Sequence, residues 1–132
     1  MRRLLMGLAA ACSMACFGDV TGSSTVNGAY TLRTINGEAL PFTIAGSGAD
    51  RTEIVDDVIT LYRGGTFAQS GHSRVTVGGQ VSNETSTATG IYLLLGTSVT
   101  LRANGGAPDV VAMVDGNTMT IVESGRTSAY TK

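Results

Sequence analysis

Few residues in this 132-residue chain are of types that do chemistry. His72 is its only histidine, Cys12 and Cys16 its only cysteines, and Glu53, Asp56 and Asp57 its only acidic cluster. A histidine base needs a nucleophile and an orienting acid beside it. Serines are abundant, yet no Gly-x-Ser-x-Gly elbow is present. The surrounding Ser-Gly-His-Ser-Arg reads as a polar loop, with His72 exposed. On a strand, Asp56 and Asp57 point to opposite faces and cannot share a proton. In a loop they lack the Asp-x-Asp-x-Asp-Gly pattern of a calcium site, so solvated turn residues are the simpler reading. Met113 and Met119 flank Asp115-Gly116 and could offer thioethers to copper, but no histidine is near them. The paired glycines lack the Gly-Lys-Ser/Thr ending and the following helix of a phosphate loop. No metal, cofactor or catalytic residue follows from these patterns, and the chain reads as a non-enzyme.

The tyrosines are more informative. Tyr30, Tyr62, Tyr92 and Tyr130 each offer an apolar body and a polar tip, which suits the wall of a small cavity. With the two methionines they give a tentative ligand-contacting set: Tyr30, Tyr62, Tyr92, Met113 and Met119. Ordinary core and surface packing is the competing reading, because spacing alone does not show which rings face inward.

The elements that must position these residues are strands. From Asn27 onward Gly, Thr, Val and Ile are frequent, and no segment keeps an apolar period of 3.6 residues with caps. Turn signals recur at Asn36-Gly37, Gly64-Gly65, Gly78-Gly79, Asn104-Gly105-Gly106 and Asp115-Gly116. Between them lie short β-like runs, among them Ala29–Ile35, Leu40–Ala45 and a strand centred on Val58–Tyr62. Val110, Ala112 and Val114 alternate into Asp115-Gly116, and Met119 and Ile121 return; this is the clearest hairpin. The polar stretch Gly79–Gly90 fits a long solvent-facing hairpin, and within it Ser82–Gly90 fits either loop or strand. The expectation is an all-β domain over residues 27–132, an antiparallel up-and-down barrel of about eight strands. A parallel α/β sheet is excluded because it needs helical crossovers.

The N-terminus reads differently. Arg2 and Arg3 precede an apolar run from Leu4 to Ala15, the layout of a secretory signal over residues 1–15. Ser13-Met14-Ala15-Cys16 resembles the lipobox of bacterial lipoproteins. That resemblance implies cleavage before Cys16 and lipidation of its sulfur; Ala-Ala-Ala-Cys12 is the alternative. Cys16 leaves the fuller apolar run. Residues 16–26, rich in Gly, Ser and Thr, then form a flexible tether. Phe17, not aspartate, follows Cys16, which by resemblance favours the outer membrane, facing the periplasm; plain secretion is the alternative. Without residues 1–15 the chain keeps seven basic and ten acidic side chains, a net of −3. No basic cluster remains, which argues against nucleic-acid binding.

The opening Asn27–Phe42 resembles the first hairpin of small lipocalin-like bacterial lipoproteins, through Gly28, Tyr30, Leu32, Asn36, Gly37, Leu40 and Pro41. It is also similar to the META-type domain of envelope proteins, although that domain's opening tryptophan is absent. The first resemblance implies a lipocalin-like barrel that binds a small apolar or amphipathic molecule. The second implies a filled barrel that acts through protein contacts. Both place the protein in the cell envelope, and the lipobox resemblance adds the membrane as partner through the lipid anchor on Cys16.

Overall fold

The computed structural model describes residues 26–132. The signal segment, Cys12, the lipidation site Cys16 and the tether up to residue 25 lie outside the described residues. The remainder is all-β, with ten strands: β1 (Gly28–Ile35), β2 (Glu38–Ala39), β3 (Phe42–Ser47), β4 (Asp50–Leu61), β5 (Thr66–Val77), β6 (Gln80–Leu95), β7 (Ser98–Ala103), β8 (Val110–Asp115), β9 (Thr118–Glu123) and β10 (Arg126–Thr131). β4 to β10 run up and down in sequence order, β10 pairs with β1, and β1 pairs with β4. Eight antiparallel strands therefore close into a barrel, with β2 and β3 as additions. Each barrel strand has both neighbours within the described residues, so the ring is complete without residues 1–25. Closure removes the unpaired edges that an open sheet of these strands would present.

Period-two alternation fills the interior. Tyr30 and Leu32 on β1, Ile59 and Leu61 on β4, Val99 and Leu101 on β7, Ala112 and Val114 on β8, and Met119 and Ile121 on β9 are all buried. Their neighbours along each strand are more exposed; Val111 and Met113 are examples. The hairpin turns follow the residue types. Asn36 and Gly37, at φ 52° and 79°, stand between the paired Ile35 and Glu38. Two left-handed residues match the twist of the flanking strands.

The ring is not closed along its whole height. β1 meets β4 only through Gly28–Thr31 against Val58–Leu61. Beyond that pairing a bulge interrupts β1 between Leu32 and Thr34, and another interrupts β4 between Ile54 and Asp56. The two strands then take other neighbours: β2 pairs with the end of β1, and β3 with the start of β4. Pro41, which donates no backbone hydrogen bond, stands between β2 and β3. Bulges bend strands and are frequent at barrel rims. Here they open one end of the barrel at the β1–β4 seam.

Two sequence expectations are corrected. His72 is within β5, not in a loop, and Asp56 and Asp57 are within β4, not in a turn. The Gly79–Gly90 stretch resolves as strand: β6 pairs with β5 from Gln80 to Ile91. Only Gly90–Leu95 meets β7, so the Ser/Thr-rich first half of β6 projects past it.

Candidate functional site

The open end is organised around one buried acid. Asp57 is two residues before Ile59 and four before Leu61, so alternation along β4 directs it inward with them. Directly across on β5 stands Gly71. A side chain there would collide with the acid, since a Cβ on Gly71 would lie 2.7 Å from Asp57 Oδ1. The glycine is needed for this close approach, not for an unusual φ. Tyr130 of β10 donates its hydroxyl to Asp57 Oδ2 at 2.7 Å, and Gln69 of β5 donates Nε2 to the same oxygen at 2.8 Å.

Electrostatics follow from this geometry. Burial pushes the Asp57 carboxyl above the usual aspartate range. The donors Tyr130 and Gln69 and the Val58 N–H pull it part of the way back, while the neighbouring Asp56 adds to the rise. Burial, and then the Asp57 charge, raise the Tyr130 phenol, which stays protonated and keeps donating. Asp57 is thus a desolvated acid whose three donors are all neutral groups.

A cleft of about 310 Å³ opens over this cluster. Leu32 and Ile35 of β1, Ile44 of β3 and Ile54 of β4 supply apolar walls. Asp57, Gln69, Tyr130, Glu123 and Arg126 supply polar ones. A second pocket of about 190 Å³ is lined by Phe67, Leu101, Pro108 and Ile121, and it shares Gln69, Glu123 and Tyr130 with the cleft. The cleft is at the small end of the range of small-molecule sites, and its mix of apolar surface with a few converging polar groups is typical of them.

The opposite end is packed. Tyr30 is fully buried and its hydroxyl donates to the Val26 carbonyl at 2.8 Å. The Tyr92 hydroxyl donates to the Tyr62 carbonyl at 2.7 Å and lies 3.0 Å from the Asn27 side-chain amide. Lys132 donates Nζ to the Asn27 carbonyl and stands 5.3 Å from the centre of the Tyr30 ring. Met119 and Val99 complete the plug without exposed surface.

Of the tentative contacts, Tyr30, Tyr92 and Met119 thus belong to the core of the packed end, while Tyr62 and Met113 are half exposed, Tyr62 beside a separate open depression of about 350 Å³ with Val58, Thr60 and Ala68. None of the five lines the cleft. The fourth tyrosine, Tyr130, does line it. Sequence reasoning weighed Asp57 only as half of an acidic pair, read as solvated turn residues, and did not single out Gln69. Their signal was phase: both fall in register with inward apolar neighbours, Asp57 with Ile59 and Leu61, and Gln69 with Phe67.

Two further charged groups lie outside the Asp57 cluster, His72 with Asp56 half exposed and Glu53 buried. His72 Nδ1 lies 2.6 Å from Asp56 Oδ1, with both side chains about half exposed. Glu53 is bridged by Arg74 at 2.9 Å and Arg51 at 3.4 Å, and the bond from Arg74 holds its carboxyl below the usual range. Among the described residues no group of three His, Cys, Asp or Glu side chains is placed to hold a metal ion. Searches against protein-family models, curated proteins and solved structures returned no match.

Proposed function

We propose that this protein is a cell-envelope lipoprotein, anchored through Cys16, whose barrel binds a small amphipathic molecule at its open end without transforming it. The observation that carries the binding reading is the asymmetry of the barrel. One end is plugged by Tyr30, Val99 and Met119, whereas the other holds a cleft of about 310 Å³ over Asp57, Gln69 and Tyr130. A barrel with only a structural role has no need of a buried acid beneath an opening. Desolvating such a group costs free energy that apolar packing would avoid. The anchor reading rests on Arg2, Arg3, the apolar run to Ala15, and Cys16 after a small residue.

Native mass spectrometry of the full chain, extracted from its source envelope in mild detergent, tests both parts at once. The expected result is a covalent lipid mass on a chain beginning at Cys16, plus a second mass that leaves on denaturation. A chain with neither would overturn the proposal. A lipidated chain with no dissociable mass, repeated under gentler conditions, would favour a barrel that works through protein contacts.

A further inference from the structure

The geometry points to a ligand class: the open-end cleft takes an amphipathic cation, an alkyl chain or ring system ending in a protonated amine, with the amine on Asp57. The inference rests on the cleft being the ligand site proposed above and goes further by fixing the ligand's charge.

Asp57 has no oppositely charged partner among the described residues. The residue is 8% exposed. Its donors are the Tyr130 hydroxyl, the Gln69 amide and the Val58 N–H, none of them charged. Among the described residues the one charged neighbour that acts on it is Asp56, which repels. A carboxylate offers about four lone-pair positions. Three donors leave one vacant, and no cation among the described residues balances the charge. Buried charges in folded proteins are ordinarily paired, because an unpaired one carries the full desolvation cost.

The surroundings keep the same sign. Asp56, Asp57 and Glu123 all border the cleft. Arg126 is the one arginine or lysine on its lining, and it stands at the rim, opposite Glu123 in the β9–β10 register. His72 is engaged by Asp56. Anionic ligands would meet net negative potential and a buried acid. A cationic head would meet a preorganised acceptor, its orientation fixed by Tyr130 and Gln69 and its approach kept open by the missing side chain of Gly71. The apolar remainder of the ligand would lie against Leu32, Ile35, Ile44 and Ile54.

The test is a head-group series on one alkyl chain. Decylamine, decanol and decanoate are titrated calorimetrically into residues 16–132 carrying Cys16→Ser, so that no covalent lipid competes. This chain retains the whole closed ring of strands. Decylamine is expected to bind at least about tenfold more tightly than decanol, with decanoate weakest, because a charge-assisted hydrogen bond is roughly twice as strong as a neutral one. Asp57→Asn should bring decylamine to the decanol affinity and leave decanol unchanged. The carbon-13 shift of the Asp57 carboxyl should move on adding decylamine to the unsubstituted site, a readout that needs no variant to fold. Decanol or decanoate binding as tightly as decylamine would overturn the cation while leaving the cleft as a ligand site. An amine preference that survives Asp57→Asn in a folded protein would place the cation elsewhere and overturn the inference. Binding of none of the three would overturn both readings.

Discussion

Replacing Tyr130 by phenylalanine removes one hydroxyl from the Asp57 cluster and leaves the ring in place. That hydroxyl lies 2.7 Å from Asp57 Oδ2. A hydrogen bond to an ionised group contributes about 1.5–3 kcal/mol, against about 0.5–1.5 kcal/mol for a neutral pair. The cost of the substitution therefore depends on whether Asp57 carries its charge. Burial holds the folded Asp57 above the ordinary aspartate range, so the folded chain keeps this proton longer than the unfolded chain does. The contribution of Asp57 to stability is then greatest below the unfolded value and declines as pH rises towards the raised folded value. Tyr130 lowers that folded value. Without the hydroxyl the value rises further and the declining window widens. Tyr130→Phe should thus cost about 0.5–1.5 kcal/mol at a pH on the acid side of the folded Asp57 titration and about 1.5–3 kcal/mol at a pH on its alkaline side. Urea unfolding followed by far-ultraviolet circular dichroism measures both, with the midpoint shift read at constant slope. In an Asp57→Asn background the pH dependence of the cost should vanish. An equal cost at the two pH values, or an unchanged cost in the Asp57→Asn background, would refute a charge-assisted bond between Tyr130 and Asp57.

Three further outcomes are expected. Met119→Ala, at a fully buried position of the packed end, should destabilise by about 2–5 kcal/mol in urea unfolding; a loss under about 1 kcal/mol would mean that this end is loosely filled. Gly71→Ala puts a methyl group 2.7 Å from Asp57 Oδ1 and should cost about 1–3 kcal/mol. Adding Asp57→Ala should recover much of that loss, and no recovery in thermal melts of the double variant would show that the clash lies with backbone instead. Glu53, held low chiefly by Arg74, gives stability that is present above the unfolded glutamate value and lost as pH falls through its lowered folded value. Glu53→Gln should therefore lower the melting temperature at neutral pH and matter less in acid; the reverse order would contradict the ion pairs.

The strands are largely legible in the sequence because their signals are local. Asn36-Gly37 and Gly78-Gly79 mark two-residue turns, and alternation from Val110 to Ile121 marks a hairpin whose inward residues are indeed buried. Other turns were quieter. Ser124 and Gly125, at φ 49° and 74°, join β9 to β10 with a pair that also occurs in ordinary loops. The first half of β6 was ambiguous for a different reason. Its residues, polar apart from Val81, meet solvent on both faces, so no burial pattern distinguishes strand from loop there.

Composition, turn chemistry and period-two patterning thus determined from sequence alone that this chain folds as antiparallel β-structure of about eight barrel strands. The phase of Asp57 with Ile59 and Leu61 is also present in the sequence, but the acidic pair reads locally as a solvated turn, and only the structure turns it inward. Tertiary structure alone decided that β1 leaves β4 after Thr31, because two bulges and the β2–β3 insertion act on strands far apart in sequence. That parting places the opening over Asp57, and it brings Gln69 and Tyr130 to one carboxylate oxygen from positions 12 and 73 residues away. Local sequence can set which face a side chain takes. Which end of the barrel is filled and which stays open depends on the sum of side-chain volumes from all eight strands, and that sum exists only once the ring has closed.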